Sequence, residues 1–281
     1  MKNSLSIIIA HFKPDDLFIN PLLKTIETIN NQKLDYSIEV IISDDGSNYS
    51  KYIMEHYSKK INIQDDEDSI YILEKKQLDT FLKSININYD IITKWVYLPK
   101  SKPRMSKAMV ANYSVKESSN ENLLFLDDDN YFISENSIEG LIKLFDSYDL
   151  IVGQIKDNNN KLRHFSSSKV QGTTIGIKKY LFNQIKGFGD WTKDFSCGVD
   201  SDLWIKLYNY YSDIREYNAC YTDKISTYDS CSKRWKKFSY LFRDFILKKE
   251  FNKRFNCKNY KSKKYNLSRN KILWMDNLIE I

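Results

Sequence analysis

Glycine and proline are scarce in this chain, at 8 and 4 of 281 residues. That excludes a collagen-like or linker-rich organisation. Cysteine is just as rare. Cys197, Cys220, Cys231 and Cys257 form no CxxC pair and no dense framework, so they read as free thiols of a reducing compartment. No apolar run approaches the roughly 20 residues of a membrane span. The opening MKNSLSIIIAHF has too short an apolar run for a signal peptide and leads straight into a strand-like segment. A cytoplasmic protein is the expectation.

What is present suits a globular protein with one large domain, or a domain and an appendage. Hydrophobic residues make up 42% of the chain, enough to bury a sizeable core. Charge is unevenly placed. From Lys233 onward there are 15 Lys and Arg against 4 Asp and Glu, whereas residues 1–232 carry 28 against 33. An acidic body over 1–232 with a basic extension over 233–281 is the simplest organisation. In the extension, 238, 241, 242, 245 and 246 form an apolar stripe at helical spacing.

Short β-branched runs alternate with helical patterns. SLSIIIA at 4–10, SIEVIIS at 37–43, KWVYL at 94–98 and NLLFL at 122–126 read as buried strands. Helices are expected from Pro14 to about Asn31, near Glu74–Ile85, over Arg104–Lys116, over 135–147 and over 200–211. Further strands are expected at 149–155, near 170–177 and at Ile214–Tyr217, with a short helix ending at Gly187. Residues 50–93, with their acidic cluster at Asp65–Asp68, are harder to assign. Strand, helix, strand in this order makes βαβ units and hence a parallel sheet in an α/β fold.

Three constellations carry chemistry. Asp127-Asp128-Asp129 ends a hydrophobic strand, where ligands of open α/β sheets bind. Asp-x-Asp can hold a hard divalent cation, Mn²⁺ or Mg²⁺, against a diphosphate; the plainer reading is a solvated turn. Asp44-Asp45-Gly46-Ser47 ends another strand, and its carboxylates suit base or ribose donors, although Asp-Gly turns are common. Gly187-Phe188-Gly189-Asp190-Trp191 precedes Gly198-Val199-Asp200-Ser201-Asp202. There Asp200 opens a helix and is either a general base or an N-cap.

The order SIIIAHFKP, IEVIISDDGS, ENLLFLDDDN, GFGDW and GVDSDLW, over roughly Ser4–Tyr211, resembles glycosyltransferase family two, the inverting GT-A enzymes of bacterial surface-polysaccharide synthesis. The resemblance implies a Rossmann-like, mostly parallel sheet flanked by helices, here followed by a helical basic extension. It implies a nucleotide-binding half over about 1–130 and an acceptor half over about 131–232. By the same resemblance, Asp44 and Asp45 contact the nucleotide base beside Ala10, His11 and Phe12. Asp127 lies near ribose and metal, with Asp128 at the nucleotide and Asp129 a metal ligand. Arg104, Lys107 and Asn112 meet nucleotide or phosphate. Asp200 becomes the base, with Asp190, Trp191 and Asp202 on the acceptor side.

The implied activity is transfer of a sugar from a nucleotide-sugar, UDP-linked in the first instance, to a saccharide or lipid-linked acceptor in capsule, lipooligosaccharide or O-antigen synthesis. This chain departs from the family pattern in three places. Val199 replaces a Glu, residues 50–93 are longer than usual, and the family's late metal-site His is missing, since histidine occurs only at 11, 56 and 164. Either another side chain, such as Asp229 or Lys233, replaces it, or substrate and water complete the metal site. A sugar-nucleotide pyrophosphorylase is disfavoured because His11-Phe12-Lys13-Pro14 offers no Gly-rich loop, and a catalytically silent nucleotide-sugar-binding protein is the other alternative. For the extension, contact with anionic lipid at the inner membrane and an ordinary packed helix are the two main readings. Nucleic acid is the least supported partner.

Overall fold

A computed structural model describes residues 4–33, 36–63, 69–87, 89–100, 106–163, 170–214, 218–230, 240–256 and 279–280. The strands are β1 (Leu5–His11), β2 (Ile38–Asp44), β3 (Lys59–Asn62), β4 (Ser69–Leu73), β5 (Ile92–Tyr97), β6 (Asn122–Asp127), β7 (Asn130–Phe132), β8 (Leu150–Lys156), β9 (Ile175–Lys178), β10 (Ala219–Asp229) and β11 (Ile279–Glu280). The helices are α1 (Leu22–Asn30), α2 (Asn48–Tyr57), α3 (Lys75–Ser84), α4 (Lys107–Glu117), α5 (Ser137–Leu144), α6 (Lys179–Gln184), α7 (Val199–Ile214) and α8 (Tyr240–Phe255), with a 3₁₀ turn at Asp190–Asp194.

The strands form one sheet in the order β11-β10-β8-β9-β6-β1-β2-β5-β4-β3, with β7 added against β10. The run β6-β1-β2-β5 is parallel, as are β8-β10-β11. Between these runs β9 lies antiparallel to both β6 and β8. The α/β class with a large, mostly parallel sheet flanked by helices is therefore as the sequence implied.

The strands are apolar on both faces because both faces are covered. Leu5, Ile7 and Ile9 of β1 and Leu124 and Leu126 of β6 join a core with Ile26 and Ile29 of α1 and Leu141 of α5. The alternate residues, Ile8, Leu123 and Phe125, join a second core with Ala108, Ala111 and Val115 of α4 and Leu203 and Leu207 of α7. This is the period of two expected of a strand. Each fully buried aliphatic side chain contributes about 1.5–3 kcal/mol. That layer gives the sheet its rigidity and fixes where its strand ends lie.

Several local expectations need correction. The helix expected from Pro14 begins only at Leu22, with Pro21 before it. Phe18 and Ile19 ahead of it are 98% and 77% exposed, so this stretch has no buried face on which a helix could pack. Ile214 ends α7; of the strand expected at Ile214–Tyr217, residues 215–217 lie outside the described residues, and the next strand, β10, begins at Ala219. Residues 170–174 precede β9 as a loop. The helix expected near Glu74–Ile85 is α3, and the otherwise unassigned stretch after 50 holds most of α2 and the β3–β4 hairpin. Its acidic cluster at 65–68 lies outside the described residues, as does His164.

The basic extension is partly described. Phe238 of its predicted stripe lies outside the described residues, and Ile246 is half-buried. The face of α8 that packs is Leu247 and Phe251, which join the second core. Gly198 gives α8 room: a Cβ there would stand 2.9 Å from Leu247 Cδ1. Phe251 meets Trp191 edge-on at 5.3 Å between ring centroids. No helix of the described residues is long and apolar enough to cross a membrane.

Phe251 is fully buried. Phe251→Ala is expected to cost about 3–5 kcal/mol, read as a lower urea midpoint at unchanged slope. A loss under about 1 kcal/mol would mean that α8 is not integral to the core.

Candidate active site

The chain switches direction at β1, since β2 and β5 lie to one side and β6 to the other. In open α/β sheets the crevice at the carboxyl ends of such strands receives ligands. Register brings the predicted residues together there. Ala10 pairs with Asp127 and with Ser43, and His11 pairs with Asp44. Neighbouring strands are about 4.8 Å apart, so two acidic segments separated by some 80 positions in sequence share one edge.

In Asp44-Asp45-Gly46-Ser47 the two carboxylates face different tasks. Asp44 is fully buried. Its Oδ1 accepts from the Ser47 N–H at 2.9 Å, and its Oδ2 accepts from Ser50 Oγ at 2.6 Å and Trp95 Nε1 at 3.0 Å. It closes the turn from within. Gly46 completes that turn at φ +83°, a conformation that favours glycine. Asp45 accepts from the Ser106 N–H at 2.9 and 3.0 Å and pairs with Lys100 Nζ at 3.3 Å. Burial raises its pKa to about 7, against the opposing pull of Lys100. Lys100 also stands over the Phe12 ring, 3.4 Å from its centroid.

The three acids after β6 likewise divide. Asp128 turns inward: its Oδ2 lies 2.5 Å from His11 Nδ1 and 3.3 Å from the Phe12 N–H. His11 Nε2 lies 2.8 Å from the Tyr49 hydroxyl. His11 and Asp128 are 2% exposed, so this pair braces the turn from below.

Asp127 takes Lys107 Nζ on Oδ1 at 2.5 Å, and its backbone N–H donates to Thr173 Oγ1 at 2.8 Å. Its surroundings raise its pKa to about 6: burial contributes most, Lys107 opposes, and the charges of Asp129 and Asp200 add to the rise. On Lys107, burial disfavours the charge, yet Asp127 and Asp200 outweigh it and hold the ammonium above its ordinary range. Asp129 accepts from Asn130 Nδ2 at 3.2 Å, and its carbonyl accepts from the Ser230 N–H at 3.1 Å.

Asp200 reaches this cluster from α7. Its carboxylate lies against Gly172, where a Cβ would come within 2.3–2.4 Å of both oxygens and Cγ. Thr173, beside Gly172, holds the Asp127 amide. The loop at 170–174 thus touches both acids, and neither of these two residues stood out in the sequence. The signal that could have found them is a small residue and a hydroxyl just before β9.

Other predicted residues are placed differently. Asn112 is engaged in bracing: its Nδ2 donates to the Phe188 carbonyl at 2.9 Å and to Asp190 Oδ1 at 2.8 Å, and its Oδ1 accepts from the Phe188 N–H at 2.9 Å. It ties α4 to the turn before Trp191. Asp202 is fully buried. It accepts from Trp191 Nε1 at 2.8 Å and pairs with Lys206 at 2.7 Å, so it orients Trp191 from inside. Trp191 is half-buried, with the Arg254 guanidinium 4.8 Å from its ring. Arg104 and Lys233 lie outside the described residues. Asp229 stands opposite Asn130 across β7 and β10, with its carboxylate paired to Arg163.

Among the described residues no group of three His, Cys, Asp or Glu side chains forms a metal cage. Asp127 and Asp129 are nonetheless hard oxygen donors whose charges disfavour each other. That suits a cation completed by diphosphate and water, as Mg²⁺ commonly is.

No family model matches the sequence, and no curated protein matches it. Solved structures do. Staphylococcus aureus TarS is 14% identical over 90% of this chain and 40% of its own, with a TM-score of 0.52. Its 1–349 fragment in complex with UDP-GlcNAc gives 14% and 0.52, over 90% of this chain and 67% of that one. The Pyrobaculum calidifontis mannosyltransferase PcManGT, in complex with GDP-Man and Mn²⁺, gives 13% and 0.53, over 97% and 68%. The likeness fixes the fold. The fold is the one these structures share, and this chain spans 40% of the TarS chain.

A test of the site's electrostatics follows from Asp45. A carboxyl raised from 3.8 to about 7 binds its proton more tightly when folded. Its contribution to stability is greatest below pH 4 and declines as pH climbs to about 7. Asp45→Asn, which stays neutral, is expected to gain on the wild type by more than 1 kcal/mol between pH 5 and pH 7.5, measured by urea unfolding. A difference that does not change with pH would refute the assignment.

Proposed function

We propose that this chain is an inverting glycosyltransferase that moves a sugar from a nucleoside-diphosphate sugar to the hydroxyl of a saccharide or lipid-linked saccharide. One observation carries the reading. Burial raises the pKa of Asp127 at the end of β6, the charges of Asp129 and of Asp200 at the start of α7 add to the rise, and Gly172 leaves room for the Asp200 carboxylate beside them. The solved structures of like fold hold UDP-GlcNAc in one case and GDP-Man with Mn²⁺ in another. A UDP-sugar is the first donor to try.

In this reading Phe12 and Asp45 receive the base, and Asp44 keeps their turn in shape. The diphosphate lies toward Asp127, Asp129 and Lys107. Asp127 and Asp129 would hold a divalent ion, which would supply positive charge to the leaving diphosphate. Lys107 adds its own ammonium to the same region and keeps Asp127 ionised. Trp191, fixed by Asp202, offers a flat apolar face to an acceptor sugar. Asp200 takes the proton from the acceptor hydroxyl as its oxygen attacks the anomeric carbon. The bond to the nucleoside diphosphate breaks with its electron pair going to the phosphate oxygen, and the anomeric configuration inverts. The basic extension is proposed to bring the enzyme to anionic lipid, and the surface-polysaccharide role is proposed with it.

Asp200→Asn is expected to cut turnover at least about a hundredfold, the scale of a general base, with donor affinity little changed. Loss of donor binding in step with activity, or a product that retains the donor's configuration, would sink the assignment. Asp129→Asn should abolish transfer and weaken Mn²⁺-dependent nucleotide binding; near wild-type turnover in saturating Mn²⁺ would remove Asp129 from the metal site. Donor hydrolysis without acceptor separates an enzyme from a silent binder. Anionic vesicles should retain the protein at low salt and release it as salt rises, and no retention at low salt would end the membrane reading.

A further inference from the structure

Lys100 is engaged by both groups that a nucleobase would need. Its ammonium stands 3.4 Å from the centroid of the Phe12 ring and 3.3 Å from Asp45 Oδ2. Its stem crosses the one place in the turn with no side chain: a Cβ on Gly46 would lie 2.6 Å from Lys100 Cγ. The contact is sheltered, with 18% of the Lys100 side chain and 5% of the Asp45 side chain exposed. A base cannot stack on that face of Phe12 while the ammonium is at stacking distance from it. Asp45 has a second hold on its position, because the Ser106 N–H donates to both of its oxygens. It can therefore stay in place when the lysine moves.

We propose that Lys100 is the movable, selectivity-setting cation of the nucleobase slot. It lies across Phe12 and Asp45 until a nucleotide enters, then turns to donate to the base carbonyl beside the ring N–H that Asp45 accepts. The inference rests on the donor reading above and adds to it a rule of base choice. A carboxylate can only accept hydrogen bonds and an ammonium can only donate them. Side by side, they read an N–H next to a C=O. Uracil presents that edge through N3–H and O4, and guanine through N1–H and O6. Cytosine and adenine present an unprotonated ring nitrogen beside an amino group, which is the reverse at both positions. The slot therefore selects uridine and guanosine diphosphates against cytidine and adenosine diphosphates. Lys100 carries no other role in the mechanism, so its removal leaves the phosphate and acceptor groups in place.

The experiment is direct calorimetric binding of UDP, GDP, CDP and ADP in Mn²⁺ at pH 8, where the Asp45 carboxylate is ionised. Wild type, Lys100→Met and Lys100→Arg are compared, with circular dichroism to verify their fold. Wild type should bind the better of UDP and GDP at least about tenfold more tightly than CDP or ADP. Lys100→Met should shrink that margin by about tenfold, the low end for a hydrogen bond to a charged group, and Lys100→Arg, which keeps a donor, should preserve most of it. Normal UDP or GDP binding with an unchanged margin in Lys100→Met overturns this inference and leaves the donor reading standing. Equal binding of all four by wild type does the same. If none of the four binds to wild type, the donor reading falls and this inference falls with it.

Discussion

The ion pair between Lys107 and Asp127 is the contact around which the acidic strand ends are arranged. Asp127, Asp128 and Asp129 follow one another at the end of β6, and Asp200 arrives from α7. Two like charges about 4 Å apart near a protein surface cost on the order of 4 kcal/mol. The fold meets this in two ways. Asp128 is turned inward onto His11. Asp127 is held by an ammonium on the first turn of α4, which is itself kept charged by the acids around it. What remains is negative charge held in place by a core packed on both faces of the sheet.

That constraint organises the rest of the edge. Asp44 is held by two hydrogen bonds from its own turn, Ser47 and Ser50, and a third from Trp95 on β5, while Asp45 faces Lys100. One acid is turned inward at the end of each strand, Asp44 after β2 and Asp128 after β6. In each case the inward acid sets the backbone, while Asp45 meets Lys100 and Asp127 meets Lys107.

The second half of the site is fastened by side chains that touch no substrate in the proposed mechanism. Asn112 ties the turn before Trp191 to α4. Asp202 and Phe251 hold Trp191 from two sides. The loop at 170–174 links Asp127 to Asp200 through Thr173 and Gly172. Displacing α8 would disturb Trp191 before it disturbed the ends of β2 and β6.

The sequence determined the strand cores, because a run such as SLSIIIA buries residues on both faces and has few other stable placements. It also determined that acids stand at two strand ends, since an α/β sheet places its strand ends together. Only the tertiary structure decided which acid of each run points in. Asp44 and Asp45 are adjacent and chemically identical, and the choice rests on Trp95 and Ser106, which lie some 50 to 60 positions away. Asn112 looked suited to a phosphate and Asp202 to an acceptor, yet each is claimed by a backbone or indole group that no local pattern reveals. The start of α1 was misjudged for the complementary reason: Pro14 and the acids after it favour a helix locally, but no surface waits to bury Phe18 and Ile19. Periodicity reports burial, which is local to an element. A polar group's task depends on its partners, and those are set by how distant elements meet.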